Sequence, residues 1–195
     1  MTNYHHGNLK NSIIEAGINI IFDEGIEKLS IRATAKLIGV SHTAPYRHFK
    51  NKEELIVAIA LKGFEKLEGK IKSLKNYSNT KDLMVKTGKI FIEFACDNRN
   101  YYRIMFGNYI NNKTDYHDFF EAYDKLFKRL TEIILKYKNQ KLKKCSTDEA
   151  SITAIAIFSI LHGYSLLIID NNEDKNIGQK KQINSILKKI ENLLD

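Results

Sequence analysis

Between Glu27 and Glu53 the chain carries no acidic residue, although its 23 Asp and Glu in 195 residues would place about three in a window of that length. The same window holds Lys28, Arg32, Lys36, Arg47, Lys50 and Lys52, with His42 and His48 among them. Cations without carboxylates to quench them suit a polyanion. Each one that meets a backbone phosphate releases condensed counterions, and arginine adds a planar fork that bonds two acceptors on one base. The chemistry this predicts is binding, not bond making. No Gly-rich phosphate loop, G-x-S-x-G, H-E-x-x-H or triad spacing accompanies it, so no enzyme is expected. Cys96 and Cys145 are far apart, with no C-x-x-C and no matching His pair. That predicts no disulfide framework, no metal site and no cofactor, and two unpaired thiols fit a reducing, cytoplasmic setting.

The elements that must position these residues read as helices. Leu9, Ile13, Gly17, Ile20 and Ile21 recur at three- and four-residue steps up to Gly25, an amphipathic first helix. Ser30 caps a second, SIRATAKLI, with Ile31, Ala35 and Ile38 inward, and Gly39 supplies the left-handed residue that ends it. After a tight turn, Ser41 opens a third helix that ends near Phe49. Two short helices joined by a Gly-containing turn form a helix-turn-helix, whose second helix fits the major groove of DNA.

The only proline of the chain, Pro45, lies in that third helix. With Ser41 as the cap, the amide that Pro45 lacks would have bonded only the cap's own carbonyl, so the loss is confined to the first turn. Positions 45 and 49 share an inward face, while His42, Thr43, Tyr46 and Arg47 cover the other. Ala44, preceding proline, resists helical geometry, which predicts a tightened or irregular start. Asn51 with Glu54 resembles a capping box for a long helix through Leu55, Ile59, Phe64 and Leu67 toward Leu74. NYSNT, 76–80, marks the boundary of a second region. Its helices are expected at about 81–97, 99–109, 115–138, 147–169 and 178–194, joined by polar connectors such as NNKTD and DNNEDKN, with a second capping box at Ser146 and Glu149.

The stretch GVSHTAPYRHFKNKEEL, 39–55, resembles the helix-turn-helix signature of tetracycline-repressor (TetR) type transcriptional regulators. In that signature Gly-Val-Ser precedes a short recognition helix and a Tyr-x-x-Phe-x-x-Lys run follows, here Tyr46, Phe49 and Lys52. The first helix ending in Phe22 and Gly25, then SIRATAKLIGV, extend the likeness over about residues 8–60. YHHGNLK, the Ala-Pro-Tyr form, YRIMFG at 102–107 and LHG at 161–163 resemble one branch, whose carboxy-terminal domain is named for Trp, His and Gly. This chain has no Trp, and Phe158 stands in its place. The resemblance implies that Thr43, Ala44, Arg47 and His42 read bases. It also implies that Tyr46, His48 and Lys52 contact phosphate, and that Ser30 and Arg32 clamp the backbone beside Ser41. It implies double-stranded DNA as partner and a homodimer through the last two helices.

The fold expected is all-α: an N-terminal three-helix helix-turn-helix domain, 1–50, a connecting helix, 51–75, and a C-terminal helical bundle, 76–195, about nine helices in total. In the last helix Ile183, Ile186, Leu187, Ile190, Leu193 and Leu194 form a stripe, and in the preceding one Ala154, Ala156, Ser159 and Gly163 permit close backbone approach. The middle helices are rich in aromatic residues, open to two readings: a packed core, or an apolar pocket for a small-molecule effector of unknown identity. For the pocket the candidates are Phe94, Tyr102, Met105, Phe106, Tyr123, Phe127, Phe158 and His162. The effector itself is implied by the resemblance.

Composition leaves one rival. The chain is 43% hydrophobic and 28% charged with a formal charge of +8, a globular balance whose excess is 26 Lys against 5 Arg. Lys62, Lys66, Lys70, Lys72 and Lys75 cluster on one helix and would suit an anionic membrane surface, although Glu65 and Glu68 dilute them. Residues 150–169 run 20 positions without formal charge, long enough to cross a bilayer, yet His162, Gly163 and several hydroxyls favour a buried helix in a soluble protein. The opening MTNYHHGNLK has no apolar core, so no secretory signal is expected, and His5 and His6 read as an arm near DNA. No membrane partner is expected.

Overall fold

The structure is a computed structural model, and it describes residues 9–75, 77–110, 115–141, 144–170 and 177–194. His5 and His6 and most of the NNKTD and DNNEDKN connectors lie outside the described residues. Among those described there are eight α-helices, two short 3₁₀ segments and no strand: α1 Leu9–Glu24, α2 Ile31–Ile38, α3 Lys52–Lys72, α4 Thr80–Asp97, α5 Arg99–Phe106, α6 His117–Gln140, α7 Thr147–Asp170 and α8 Ile177–Asn192. The all-helical expectation holds.

The chain forms two compact units, Met1–Gly63 with Asn100–Phe119, and Phe64–Arg99 with Phe120–Asp195. In the first, α1 buries Ile13, Ile14, Ala16, Gly17, Ile18, Ile20 and Ile21 against α2 and the segments that follow each helix. The Ser30 hydroxyl accepts from Ala33 N at 3.1 Å and starts α2, whose Ile31, Thr34 and Ala35 are buried. The start of α3 is held twice: Asn51 Oδ1 accepts from Glu54 N at 2.8 Å, and Glu54 Oε2 reaches back to Lys50 N at 2.7 Å. Leu55, Ile59 and Ala60 then sink into the core with no exposed surface. At Gly63 a Cβ would stand 2.5 Å from Met105 Sδ, so the absence of a side chain lets α3 and α5 close on each other. Tyr101 on α5 points its hydroxyl at Glu15 of α1, 3.4 Å away, and burial together with that carboxylate pushes the phenol up to about 12.

In the second unit α4 packs against both α7 and α8. Asn79 caps α4 through Asp82 N, and Gly88 lies where a Cβ would meet Leu187 Cδ2 at 3.0 Å and Leu161 Cδ2 at 3.4 Å. Its edges are pinned by Thr80 to Gln140, 2.7 Å, Lys81 to Glu191, 3.5 Å, and Lys125 to Glu68, 3.1 Å. Among the described residues α7 is the one helix long and apolar enough to cross a membrane. Its Ala150, Ala154, Ile157, Leu161, Ser165, Ile168 and Ile169 are buried in the protein, and 33% of its apolar window is buried in all. Two lysines of α3 are matched to acids: Lys70 pairs with Asp97 at 3.7 Å and Lys72 with Glu68 at 3.0 Å. A lysine matched to an acid contributes little to a membrane surface potential.

Candidate nucleic-acid interface

The site is built outward from the end of α2. Gly39 adopts φ 72°, the left-handed region that a side chain disfavours, and Val40 N returns to Ala35 O at 3.1 Å. This closes the helix and turns the chain into residues 41–49.

The sequence led us to expect a helix from Ser41 to Phe49, and here the structure differs. Only Ala44–Arg47 is helical, as a single 3₁₀ turn. The cause is the Ala44-Pro45 pair: Ala44 resists the α conformation, and Pro45 has no amide to extend an α ladder. The backbone settles on tighter bonds, Ala44 N to Ser41 O at 3.1 Å and Tyr46 N to Thr43 O at 3.2 Å, while Pro45 O accepts from both His48 N and Phe49 N. Ser41 does not cap through its side chain either, for its hydroxyl lies 3.2 Å from that of Thr43. The two-faced pattern survives the change. Pro45 and Phe49 are buried, whereas His42, Thr43, Tyr46, Arg47 and His48 are exposed and Ala44 is half-exposed.

Ser30 and Arg32 are also exposed, at the first turn of α2. Lys52 has a structural tie that its sequence position does not announce: its ammonium donates to Ile26 O, 2.8 Å away, across 26 residues. That bond uses one of three donors and fixes the first turn of α3 to the segment after α1. The side chains of Arg32, Arg47 and His48 have no hydrogen-bond or ion-pair partner among the described residues. An exposed, acid-free face carrying two guanidinium groups on rigid turns can grip phosphates and reach base edges.

The eight pocket candidates divide between the two units. Tyr102, Met105 and Phe106 belong to the first, where Tyr102 and Met105 are fully buried and the rings of Tyr102 and Phe106 stand 4.8 Å apart. Phe94, Tyr123, Phe127, Phe158 and His162 belong to the second. Phe94 is fully buried; Phe158 centres an aromatic group, 4.5 Å from Phe127, 6.4 Å from Tyr123 and stacked on His162 at 5.5 Å. Burial lowers the His162 pKa, favouring the neutral ring. Phe158 also lines a cavity of about 40 Å³ with Thr87, Phe91, Arg129 and neighbouring apolar side chains. Thr87 and Arg129 were not singled out from the sequence. The signal was there for Arg129, a cation set among Leu126, Leu130 and Ile133 at core spacing on a chain poor in arginine.

The fold and the exposed basic turn together define a helix-turn-helix DNA-binding regulator. Comparison with known proteins agrees. Residues 13–59 match the sequence model of the bacterial regulatory proteins of the tetR family. A helix-turn-helix transcriptional regulator of Staphylococcus aureus (strain bovine RF122) is 25% identical over 160 residues, covering 78% of this chain and 83% of its own. The fold is shared with a protein of unknown function from Rhodococcus sp. RHA1, TM-score 0.81 at 21% identity over 100% of this chain and 97% of that one. It is shared too with the fatty acid degradation regulator of Bacillus halodurans, TM-score 0.74 at 15% identity over 98% and 96%. Residues 13–59 therefore carry a tetR-family DNA-binding domain, and over most of its length the chain is similar to helix-turn-helix transcriptional regulators.

Proposed function

We propose that the chain is a cytoplasmic repressor that binds a palindromic operator as a homodimer and releases it when a small molecule occupies the C-terminal helical region, 76–195. The observation that carries the DNA half is the exposed face of residues 41–48 in a window free of acids. On this reading Thr43, Ala44 and Arg47, with His42, meet base edges, while Tyr46, His48, Lys52, Ser30 and Arg32 hold phosphates around Ser41.

Dimerisation is supported by α7. Ile152, Ile155 and Leu167 are 69%, 53% and 62% exposed, and with the exposed Ala156, Ser159 and Gly163 they follow one another at helical spacing on a single stripe. Large aliphatic side chains left in water beside small ones suit a close helix-helix contact. Leu193, in the turn just after α8 and 45% exposed, adds to the unpartnered apolar surface. A two-fold dimer would set two readers about one helical turn of DNA apart, about 34 Å, so each half-site multiplies the effect of the other. A ligand that favours another separation must weaken DNA binding by the same factor that DNA weakens the ligand.

Selecting bound duplexes from a random pool tests this directly. The expected result is one enriched motif with two-fold symmetry, retained above about 150 mM salt. A pool that stays random, with binding lost uniformly as salt rises, would reduce the chain to a non-specific polycation.

A further inference from the structure

Within the second unit a buried hydroxyl and a half-buried guanidinium both lack partners. Thr87 Oγ1 on α4 is shielded from solvent and has no hydrogen-bond partner among the described residues. Helical threonines elsewhere in the unit bond the carbonyl one turn back, Thr131 to Phe127 O and Thr153 to Glu149 O, both at 2.9 Å. Arg129 on α6 is likewise without a hydrogen bond, ion pair or ring contact among the described residues, whereas Lys70, Lys81, Lys86 and Lys125 of the same unit each face a carboxylate. Both orphans line the one cavity of about 40 Å³, whose remaining wall includes Phe91, Leu130, Ile133 and Phe158.

Native proteins rarely leave buried polar atoms unpaired, and each exception calls for a cause. A guanidinium beside a hydroxyl on an otherwise apolar wall matches one kind of molecule. We infer that this cavity takes an amphipathic carboxylate, its head paired with Arg129 and hydrogen-bonded by Thr87, its hydrocarbon tail against Phe91 and Phe158. A neutral ligand would leave Arg129 without a counter-charge, and a cation would oppose it. The carboxylate offers the two oxygens that the guanidinium fork fits.

The cavity is far smaller than the several hundred Å³ of a formed ligand pocket. The tail therefore enters by parting Phe91 and Phe158, whose rings now meet edge to face at 5.6 Å. Those rings sit on α4 and α7, so occupancy and the packing of α7 are linked. This assignment deepens the effector reading above and rests on it.

Calorimetry on the full chain without DNA tests the site, with octanoate, octanol and octylammonium as probes sharing one tail. Octanoate is expected to bind at least about 10-fold more tightly than either of the others, a gap of about 1.4 kcal/mol. Arg129→Gln should erase the gap, Arg129→Lys should keep part of it, and Thr87→Val should weaken octanoate a few-fold while leaving octanol alone. Unchanged octanol affinity in Arg129→Gln shows that the cavity has stayed folded. No octanoate binding, equal affinity for the three probes, or a gap that survives Arg129→Gln overturns the assignment. Octanoate that binds as expected but leaves the affinity for the selected duplex unchanged keeps the site and overturns the effector role.

Discussion

Lys52 is the residue at which fold and function compete for the same group. The family resemblance gives its ammonium to phosphate, and the structure gives it to the carbonyl of Ile26 at 2.8 Å. Lys52→Met keeps the aliphatic stem and removes only the charge and its donors. A hydrogen bond to a charged group nets about 1.5–3 kcal/mol, and partial exposure here brings the expected loss to about 1–2 kcal/mol. For a chain of this length each kcal/mol moves Tm by about 2–4 °C, so the variant should melt about 2–8 °C lower by circular dichroism. If the remaining donors also meet a phosphate, the slope of log K against log salt should become shallower by about 0.9 per protomer, measured on the selected duplex. A lower Tm with an unchanged slope would make Lys52 purely a structural tie and refute its DNA role. A shallower slope with an unchanged Tm would show that the Ile26 bond contributes nothing in solution.

Arg47→Ala should relax sequence preference and cost about 1–3 kcal/mol on the selected operator, with a much smaller loss on random duplexes; equal losses on both would contradict base reading. Gly63→Ala places a methyl 2.5 Å from Met105 Sδ and 2.8 Å from its Cγ, and should destabilise by about 1–3 kcal/mol. Adding Met105→Ala opens the room that methyl needs, so the double variant should be more stable than the sum of the singles, and additivity within about 0.5 kcal/mol would refute the close approach. Ile155→Glu puts a charge on the exposed α7 stripe and should convert a sedimenting dimer to a helical monomer; an unaltered dimer would place the interface elsewhere.

Much of this was legible because helix punctuation is local. Ser30, Gly39, Asn51 and Ser146 each act within three or four residues, so the hydroxyl or amide that caps and the glycine that stops are visible in sequence, and all four do what their positions predict. The acid-free window was legible for the same reason, since an absence of charge needs no fold to be counted. What sequence could not show is contact across the chain. The bond from Lys52 to Ile26, the closeness of Gly63 to Met105, and the meeting of Thr87 with Arg129 in one cavity all join segments far apart in sequence. Patterning also cannot say which apolar stripe of a uniformly apolar helix is left in water. Ala154, expected among the close-approach residues of α7, is buried within the chain, while Ile152 and Ile155 beside it are exposed.

Pro45 shows how a local penalty becomes a functional shape. An unbroken α-helix from 41 to 49 would rotate its side chains 100° per residue, and the face bearing Thr43 and Arg47 would be fixed by helix geometry alone. The 3₁₀ turn instead stacks positions three apart, which aligns Thr43 with Tyr46 and Ala44 with Arg47 along the exposed side. It also carries the proline ring inward, where its missing amide costs little and its rigid φ limits the unfolded chain. Replacing Pro45 with alanine would free the segment to extend as α-helix, turning Arg47 relative to Lys52 and His48. The proline is therefore less a helix breaker than the device that sets which side chains of a very short element share one edge.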